Sequence, residues 1–340
     1  MQNIPSHNKD IRKMFVADDG YVLMSSDYSQ QEPKVMTQMC GDEKMLNAYK
    51  QGKDLYAEIA SLAFDKPYED CLEFYLDENG NKTGEVNKEG KARRTQAKSI
   101  LLGILYGRGL SSVAEQLKTT KQKAQEIQDK IFKGFPAIPK FERDSKQLAM
   151  EKGFVTTLWG RKRRLPNMSL PKYEFDFTQK ASNNFNPLDF ENSTEEYIDY
   201  AAIDKYTTLM DSAYGRLDKE KIKAQARQEG IIIKDNGGYI ADAERQCVNS
   251  RIQGSAADMS KKAMILVGND SRLKELGFQL LIPVHDELIG QCPLANAKEC
   301  SERFAQLMSE AAKDKLEVPI SCDVEITKEW YGTPISIGGV

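Results

Sequence analysis

Two aspartates interrupt apolar runs that otherwise read as strands. Asp27 closes the stretch that begins Val22-Leu23-Met24, and Asp286 lies inside Leu280-Leu281-Ile282-Pro283-Val284-His285-Asp286-Glu287-Leu288-Ile289. A carboxylate at the edge of a buried sheet loses hydration and must be neutralised, and two of them brought together repel unless cations sit between them. Such a pair points to a two-metal phosphoryl-transfer site.

The remaining composition narrows the setting. With 340 residues, 40% apolar and 29% charged, the chain can bury a substantial core in two or three structural units. No run of about 18 apolar residues is present to span a membrane, and Met-Gln-Asn-Ile-Pro reads as neither a signal nor a transit peptide; a cytoplasmic protein is expected. The six cysteines, Cys40, Cys71, Cys247, Cys292, Cys300 and Cys322, form no CxxC, and the two histidines are His7 and His285. That pattern argues against zinc and for reduced, packed thiols. A net charge of −3 excludes a general nucleic-acid coat protein but not a local basic groove.

Local patterning gives the elements. Asp18-Asp19-Gly20 predicts a turn and 22–26 a strand delivering Asp27 at its end. Ser29-Gln30-Gln31-Glu32 fits a capping box opening a helix, with Pro33 in the first turn and a stop at Gly41. Residues 46–64 and 92–149 show helical spacing, interrupted by turn formers over 77–84 that predict an exposed hairpin or loop. A strand and turn over 153–160 lead into the basic cluster Arg161-Lys162-Arg163-Arg164, which fits contact with template phosphate or with a neighbouring acid equally well. Composition changes over 168–239, where Asn183-Asn184-Phe185-Asn186-Pro187 precedes mixed-charge helices near 197–228. A long helix over 243–267, a hairpin over 278–291, a helix over 295–315 and a strand over 320–326 complete the pattern.

Two helix faces carry candidate chemistry. Arg94, Lys98, Leu102 and Tyr106 are four apart and share one slowly drifting face, at about 6 Å per step. That order would meet a triphosphate with the two cations and a sugar and base with the last two residues; alone, it also describes a solvated cationic turn entering a core helix. Arg245, Asn249 and Gln253 repeat the spacing with hydrogen-bonding groups, on a face that could equally be merely solvated.

Three words in order decide between these readings. Asp27-Tyr28-Ser29-Gln30-Gln31-Glu32 resembles motif A of the family A DNA polymerases, Arg94-Thr95-Gln96-Ala97-Lys98-Ser99-Ile100-Leu101-Leu102-Gly103-Ile104-Leu105-Tyr106-Gly107 resembles motif B, and Val284-His285-Asp286-Glu287 resembles motif C. The resemblance implies an α+β fold, with an antiparallel palm sheet holding Asp27 and Asp286 and a helical fingers subdomain holding 94–106. It implies the organisation 1–45 palm, 46–165 fingers, 166–240 insertion and 241–340 palm. It also implies a DNA-directed DNA polymerase that extends primer-template DNA with deoxynucleoside triphosphates, using two Mg²⁺ ions on Asp27, Asp286 and the carbonyl of Tyr28.

By the same resemblance, Lys98 assists the leaving pyrophosphate, and Gln30, Glu32, Arg94, Lys98, Leu102, Tyr106 and His285 line the nucleotide site. Glu32 crowds the 2′ position and so selects deoxyribose. The word Arg245-Gln246-Cys247-Val248-Asn249-Ser250-Arg251-Ile252-Gln253-Gly254 resembles a segment that touches the minor groove near the primer terminus, where acceptors common to all correct pairs test geometry without reading sequence; Tyr106 and Glu287 join Arg245, Asn249 and Gln253 as DNA contacts.

The chain also departs from the family pattern. Leu102 replaces a Phe or Tyr, Gln31 and Pro33 replace apolar residues, and Pro283 replaces a polar one. Gln2-Asn3-Ile4-Pro5 matches a segment already downstream of the thumb, so a thumb and exonuclease are expected on another part of the protein or on a separate polypeptide. The insertion and the general wording resemble phage-encoded members more than bacterial housekeeping ones. Two rival expectations are a non-catalytic DNA-binding half of a split polymerase and a single-subunit RNA polymerase, the latter disfavoured by Glu32.

Overall fold

The computed structural model describes residues 9–78, 80–177 and 198–336; His7 and the words Gln2 to Pro5 and Asn183 to Pro187 lie outside them. After a short helix α1 (Lys9–Lys13), the Asp18-Asp19-Gly20 turn forms, with Tyr21 N–H donating to the Asp18 carbonyl at 2.9 Å. Strand β1 (Tyr21–Tyr28) follows and includes Asp27 instead of stopping before it. Val22 and Met24 pack into the main core, while Leu23 on the opposite face packs with Val284, Ile289 and Trp330. A strand covered on both faces needs an unbroken apolar run, which accounts for Val22-Leu23-Met24.

The expected capping box is not formed. Ser29 N–H still bonds the Ser321 carbonyl at 3.2 Å, continuing the sheet by one residue, and helix α2 (Gln31–Cys40) starts later. Gln30 is its cap, in a left-handed conformation with φ 56° and without a side-chain cap bond. Pro33 falls in the first turn, where no N–H is needed, and the helix ends at Gly41 with φ 66°.

The 46–64 pattern resolves into α3 (Glu43–Lys50) and α4 (Leu55–Phe64), split because Asp42 and Asp54 each cap a new helix through two backbone N–H groups. In the region of the expected hairpin or loop, β2 (Phe74–Leu76) pairs antiparallel with β3 (Lys82–Val86). The 92–149 pattern becomes four helices, α5 (Lys88–Leu105), α6 (Leu110–Gln116), α7 (Lys121–Gly134) and α8 (Ala137–Lys152). Breaks at Gly107 and Gly109, at the Thr120 cap and at Pro136 explain the division. β4 (Phe154–Thr156) then pairs with β5 (Lys162–Arg164), so most of the basic cluster is an exposed strand.

The chain divides into two compact units, Met1–Arg164 with Arg245–Val340, and Leu165–Glu244. Residues 1–164, expected as palm and fingers, fall in the first unit, and residues 166–240, expected as an insertion, fall in the second. That second unit has its own core of Tyr173, Tyr206, Met210, Ile231 and Ile233. It is built from the antiparallel pair β6 (Tyr173–Asp176) and β7 (Ile232–Asp235) with helices α9 (Tyr200–Ser212) and α10 (Gly215–Gln228).

Helix α11 (Gly237–Asn269) runs for 33 residues, longer at both ends than the apolar pattern marks, and is followed by α12 (Ser271–Glu275). β8 (Gln279–Val284) and β9 (Glu287–Pro293) form the expected hairpin, and α13 (Ala297–Glu310) leads to β10 (Cys322–Thr327). The sheet order is β10-β1-β9-β8, antiparallel throughout. Pro283 is thereby on an edge strand, beside a register shift, where a missing N–H is tolerated. Gly290 in β9 admits no side chain: a Cβ would lie 2.3 Å from the Phe278 ring and 2.8 Å from the Gln279 carbonyl.

Candidate active site

The two central strands bring the acids together. In register, Asp27 stands opposite Glu287 on β9 and opposite Asp323 on β10. Asp286 occupies the two-residue turn between β8 and β9, beside His285, whose φ of 55° is the left-handed value such a tight turn requires. These residues line a cleft of about 550 Å³ together with Arg12, Trp330 and Tyr331. Among the described residues no carboxylate of this group has a basic side chain at ion-pair distance.

The electrostatic consequence falls on Asp27. Partial burial, then the negative charges of Asp286 and Glu287, push its carboxyl up to about 6, against a smaller opposing effect of the Tyr28 backbone N–H. Glu287 is held in place: it accepts from the Ser25 hydroxyl and, at 3.2 Å, from the Trp330 indole N–H. Trp330 is itself buried under the Arg12 guanidinium, 4.6 Å from its ring centre. Glu287 is thus a buried carboxylate committed to two neutral donors on the cleft floor.

The nucleotide-side residues are arranged along α5 and α2. Arg94, Lys98 and Leu102 form a half-exposed to exposed stripe on α5, and Tyr106 caps its C-terminus. Arg94 donates to Asp54 at 2.7 Å and lies over the Tyr56 ring, with the Lys98 ammonium 5.8 Å from the same ring. The Tyr106 hydroxyl donates to Glu32, and desolvation followed by that carboxylate pushes its phenol up to about 12. Gln30 accepts from Tyr49 at 2.9 Å, and Gln31 reaches back to the Ala256 carbonyl and Ser260, both at 3.2 Å, so it serves as a buried tie and not an apolar contact.

On α11, Arg245 and Gln253 are exposed and Asn249 is half-buried. Gln253 lies within hydrogen-bonding reach of Tyr106, and Gly107 packs against Arg245, where a Cβ would come within 2.8 Å of its side chain. The Asn249 side-chain oxygen is buried without a hydrogen-bond partner among the described residues. The basic cluster divides: Arg161 is committed to Asp258 at 2.7 Å and to the Gly254 carbonyl, and Arg163 donates to Gln246. For Arg161 the neighbouring acid is the partner.

Sequence reasoning missed Asp323, Trp330, Arg12, Asp54 and Tyr56. Asp323 carried the same signal as Asp27, an acid in an expected strand. Trp330 and Arg12 carried no local signal, because the contact between them joins residues far apart in the chain.

A family model for DNA polymerase family A matches residues 1–187 and 189–332. The chain belongs to DNA polymerase family A. Its relatives in the family include DNA polymerase I of Chloroflexus aurantiacus, 26% identical over 342 residues, covering 99% of this chain and 27% of the relative. The thermostable DNA polymerase I of Thermus aquaticus is 26% identical over 335 residues, covering 97% of this chain and 30% of the relative. The chain thus spans less than a third of the length of these family A proteins. Its fold matches the POL domain of Pol1 from M. smegmatis, solved in complex with DNA primer-template and dNTP, with a TM-score of 0.67 at 24% identity over 97% of this chain and 44% of that one.

Proposed function

We propose that this chain is the nucleotide-adding core of a DNA-directed DNA polymerase, extending a primer 3′ end with deoxynucleotides. The observation that carries the reading is the uncompensated acid group: Asp27, pushed up to about 6 by burial, Asp286 and Glu287, in a cleft that shares Ser29 with a second one lined by Arg94.

The site fits Mg²⁺. Its donors are hard carboxylate oxygens whose mutual repulsion a cation would relieve, and family membership supports a divalent-metal site. Mg²⁺ takes one or two protein carboxylates and completes its shell with substrate oxygens and water. Asp27, Asp286 and the Tyr28 carbonyl would hold two such ions, which when bound lower the pKa of the primer hydroxyl and stabilise the departing pyrophosphate.

The protein's own groups do the rest. Arg94 and Lys98 neutralise the triphosphate, with Lys98 nearest the leaving group. Glu32, held by Tyr106, fills the space a ribose 2′-hydroxyl would need, and Leu102 with Tyr106 supports the base. Arg245, Asn249 and Gln253 face the duplex. Primer extension by the full chain on a primed template, with four deoxynucleotides and with or without Mg²⁺, tests this reading. Ladder formation that requires Mg²⁺ supports it; no extension by the chain with Mg²⁺ and all four deoxynucleotides overturns it.

A further inference from the structure

The unit Leu165–Glu244 contributes no residue to the acid cleft, and its charges are sorted. Residues 165–244 carry 15 acids against nine bases, yet within them α10 carries five bases, Arg216, Lys219, Lys221, Lys223 and Arg227, against Asp218 and Glu220. A basic helix on an acidic body marks a surface that meets an anion, because solubility needs only the net charge. Three of the bases are neutralised within the unit: Lys219 by Asp235 at 2.8 Å, Lys221 by Asp218 at 3.5 Å and Lys223 by Glu220 at 3.1 Å. Arg216 and Arg227 are exposed and have no carboxylate at ion-pair distance among the described residues. Eleven residues apart in sequence, they stand on the same side of the helix, three turns or about 16 Å from each other.

Each of these guanidiniums has an aromatic ring at its end of the helix. Tyr214 precedes α10 at the left-handed Gly215, φ 84°, and is 93% exposed. Tyr200 opens α9 and is 72% exposed; Lys205, on the same helix, binds Glu229 at 2.7 Å and so ties the start of α9 to the end of α10, where Arg227 lies. Neither ring takes part in the core of the unit. Rings set at opposite ends, with charged residues between them, do not make the contiguous apolar centre of a protein interface, which buries about 800 Å² on each partner. A single exposed ring near an unpaired guanidinium suits an unpaired nucleic-acid strand, whose bases stack on the ring while its phosphates meet the cation.

We propose that this face of the α9–α10 pair binds single-stranded DNA, with Tyr214 and Tyr200 stacking bases and Arg216 and Arg227 holding the backbone. The proposal rests on the polymerase reading for the choice of DNA, and it goes beyond that reading by giving the second unit a contact with the unpaired strand.

Fluorescence anisotropy of a labelled oligo-dT with the full chain, in a chelating buffer without nucleotides, reads this binding apart from catalysis. Tyr214→Ala and Tyr200→Ala are each expected to weaken it about tenfold, the loss of one stacked base. Arg216→Gln with Arg227→Gln should also weaken it and lower the slope of log affinity against log salt by about 1.4, the share of two phosphate contacts on a single strand. All four side chains are exposed, so the variants should keep the wild-type unfolding midpoint. Affinity for blunt duplex DNA should stay unchanged in the tyrosine variants; an equal loss on duplex overturns the single-strand assignment. Wild-type affinity for the oligonucleotide in either set of variants overturns the proposal, and in both sets assigns the face to a protein partner. A chain that binds the oligonucleotide through these residues yet never extends a primer keeps the proposal and loses the polymerase reading. One that extends primers while all four substitutions leave binding unchanged does the reverse.

Discussion

Replacing Asp27 with Asn should make the protein more stable at neutral pH while removing its activity. The rise of the Asp27 carboxyl from an ordinary 3.8 to about 6 means that the folded chain holds this proton more tightly than the unfolded chain does. Stability from this group is therefore fully present below about pH 4 and is lost as pH rises through about 6. For a fully enclosed group the difference corresponds to about 3 kcal/mol at pH 7.5. Asp27 opens to the cleft, and solvent screening reduces this to about 1 kcal/mol, or about 2 °C in Tm for a chain of this size. Asn cannot ionise, so Asp27→Asn is expected to gain that amount at pH 7.5 and nothing at pH 4. Urea or thermal unfolding in a chelating buffer measures it, and adding Mg²⁺ should then stabilise the wild type more than the variant. A variant that is no more stable at pH 7.5, or a difference that does not change with pH, would refute the electrostatic reasoning.

Other outcomes follow from single contacts. Gly290→Ala should lose about 2 kcal/mol of stability in chemical unfolding, because its Cβ meets the Phe278 ring and the Gln279 backbone in a closed sheet; an unchanged midpoint would contradict that packing. Asp270→Asn should cost about 2 kcal/mol at pH 7, since Asp270 caps α12 and pairs with Arg303 at 2.6 Å. Arg303 holds the Asp270 carboxyl below its usual range, so the wild-type advantage should persist above about pH 4 and vanish as pH falls further. Tyr106→Phe releases Glu32 and should raise ribonucleotide relative to deoxynucleotide incorporation several-fold, read by competition on a primed template. Leu102→Tyr should increase dideoxynucleotide incorporation relative to the wild type; equal ratios in the two proteins would show that position 102 does not face the sugar.

The parts of the fold that were legible in the sequence are those set by local period. The run Val22-Leu23-Met24, the hairpin around Asp286 and the stripe Arg94, Lys98, Leu102 could be read because strand and helix spacing are local properties. Boundaries were less legible where a distant partner decides them. Ser29 fits a helix cap until Ser321, far along the chain, draws its N–H into the sheet, and the long helical pattern over 46–64 gives no sign that Asp54 restarts the helix while holding Arg94. The site shows the same division. Asp27 and Asp286 announced themselves as acids in apolar runs, but the arrangement that holds Glu287, with Trp330 above it and Arg12 above that, exists only after long-range closure of the sheet.

The measurement that tests the central claim most directly is the rate of a single deoxynucleotide addition to a primed template for the wild type, Asp27→Asn and Asp286→Asn, with folding of each verified by unfolding curves. The account predicts that both variants fold and bind primer-template but lose at least about 10³-fold in rate, as expected when a group stabilising the transition state electrostatically is removed. A folded Asp286→Asn protein that adds nucleotides at close to the wild-type rate would contradict it.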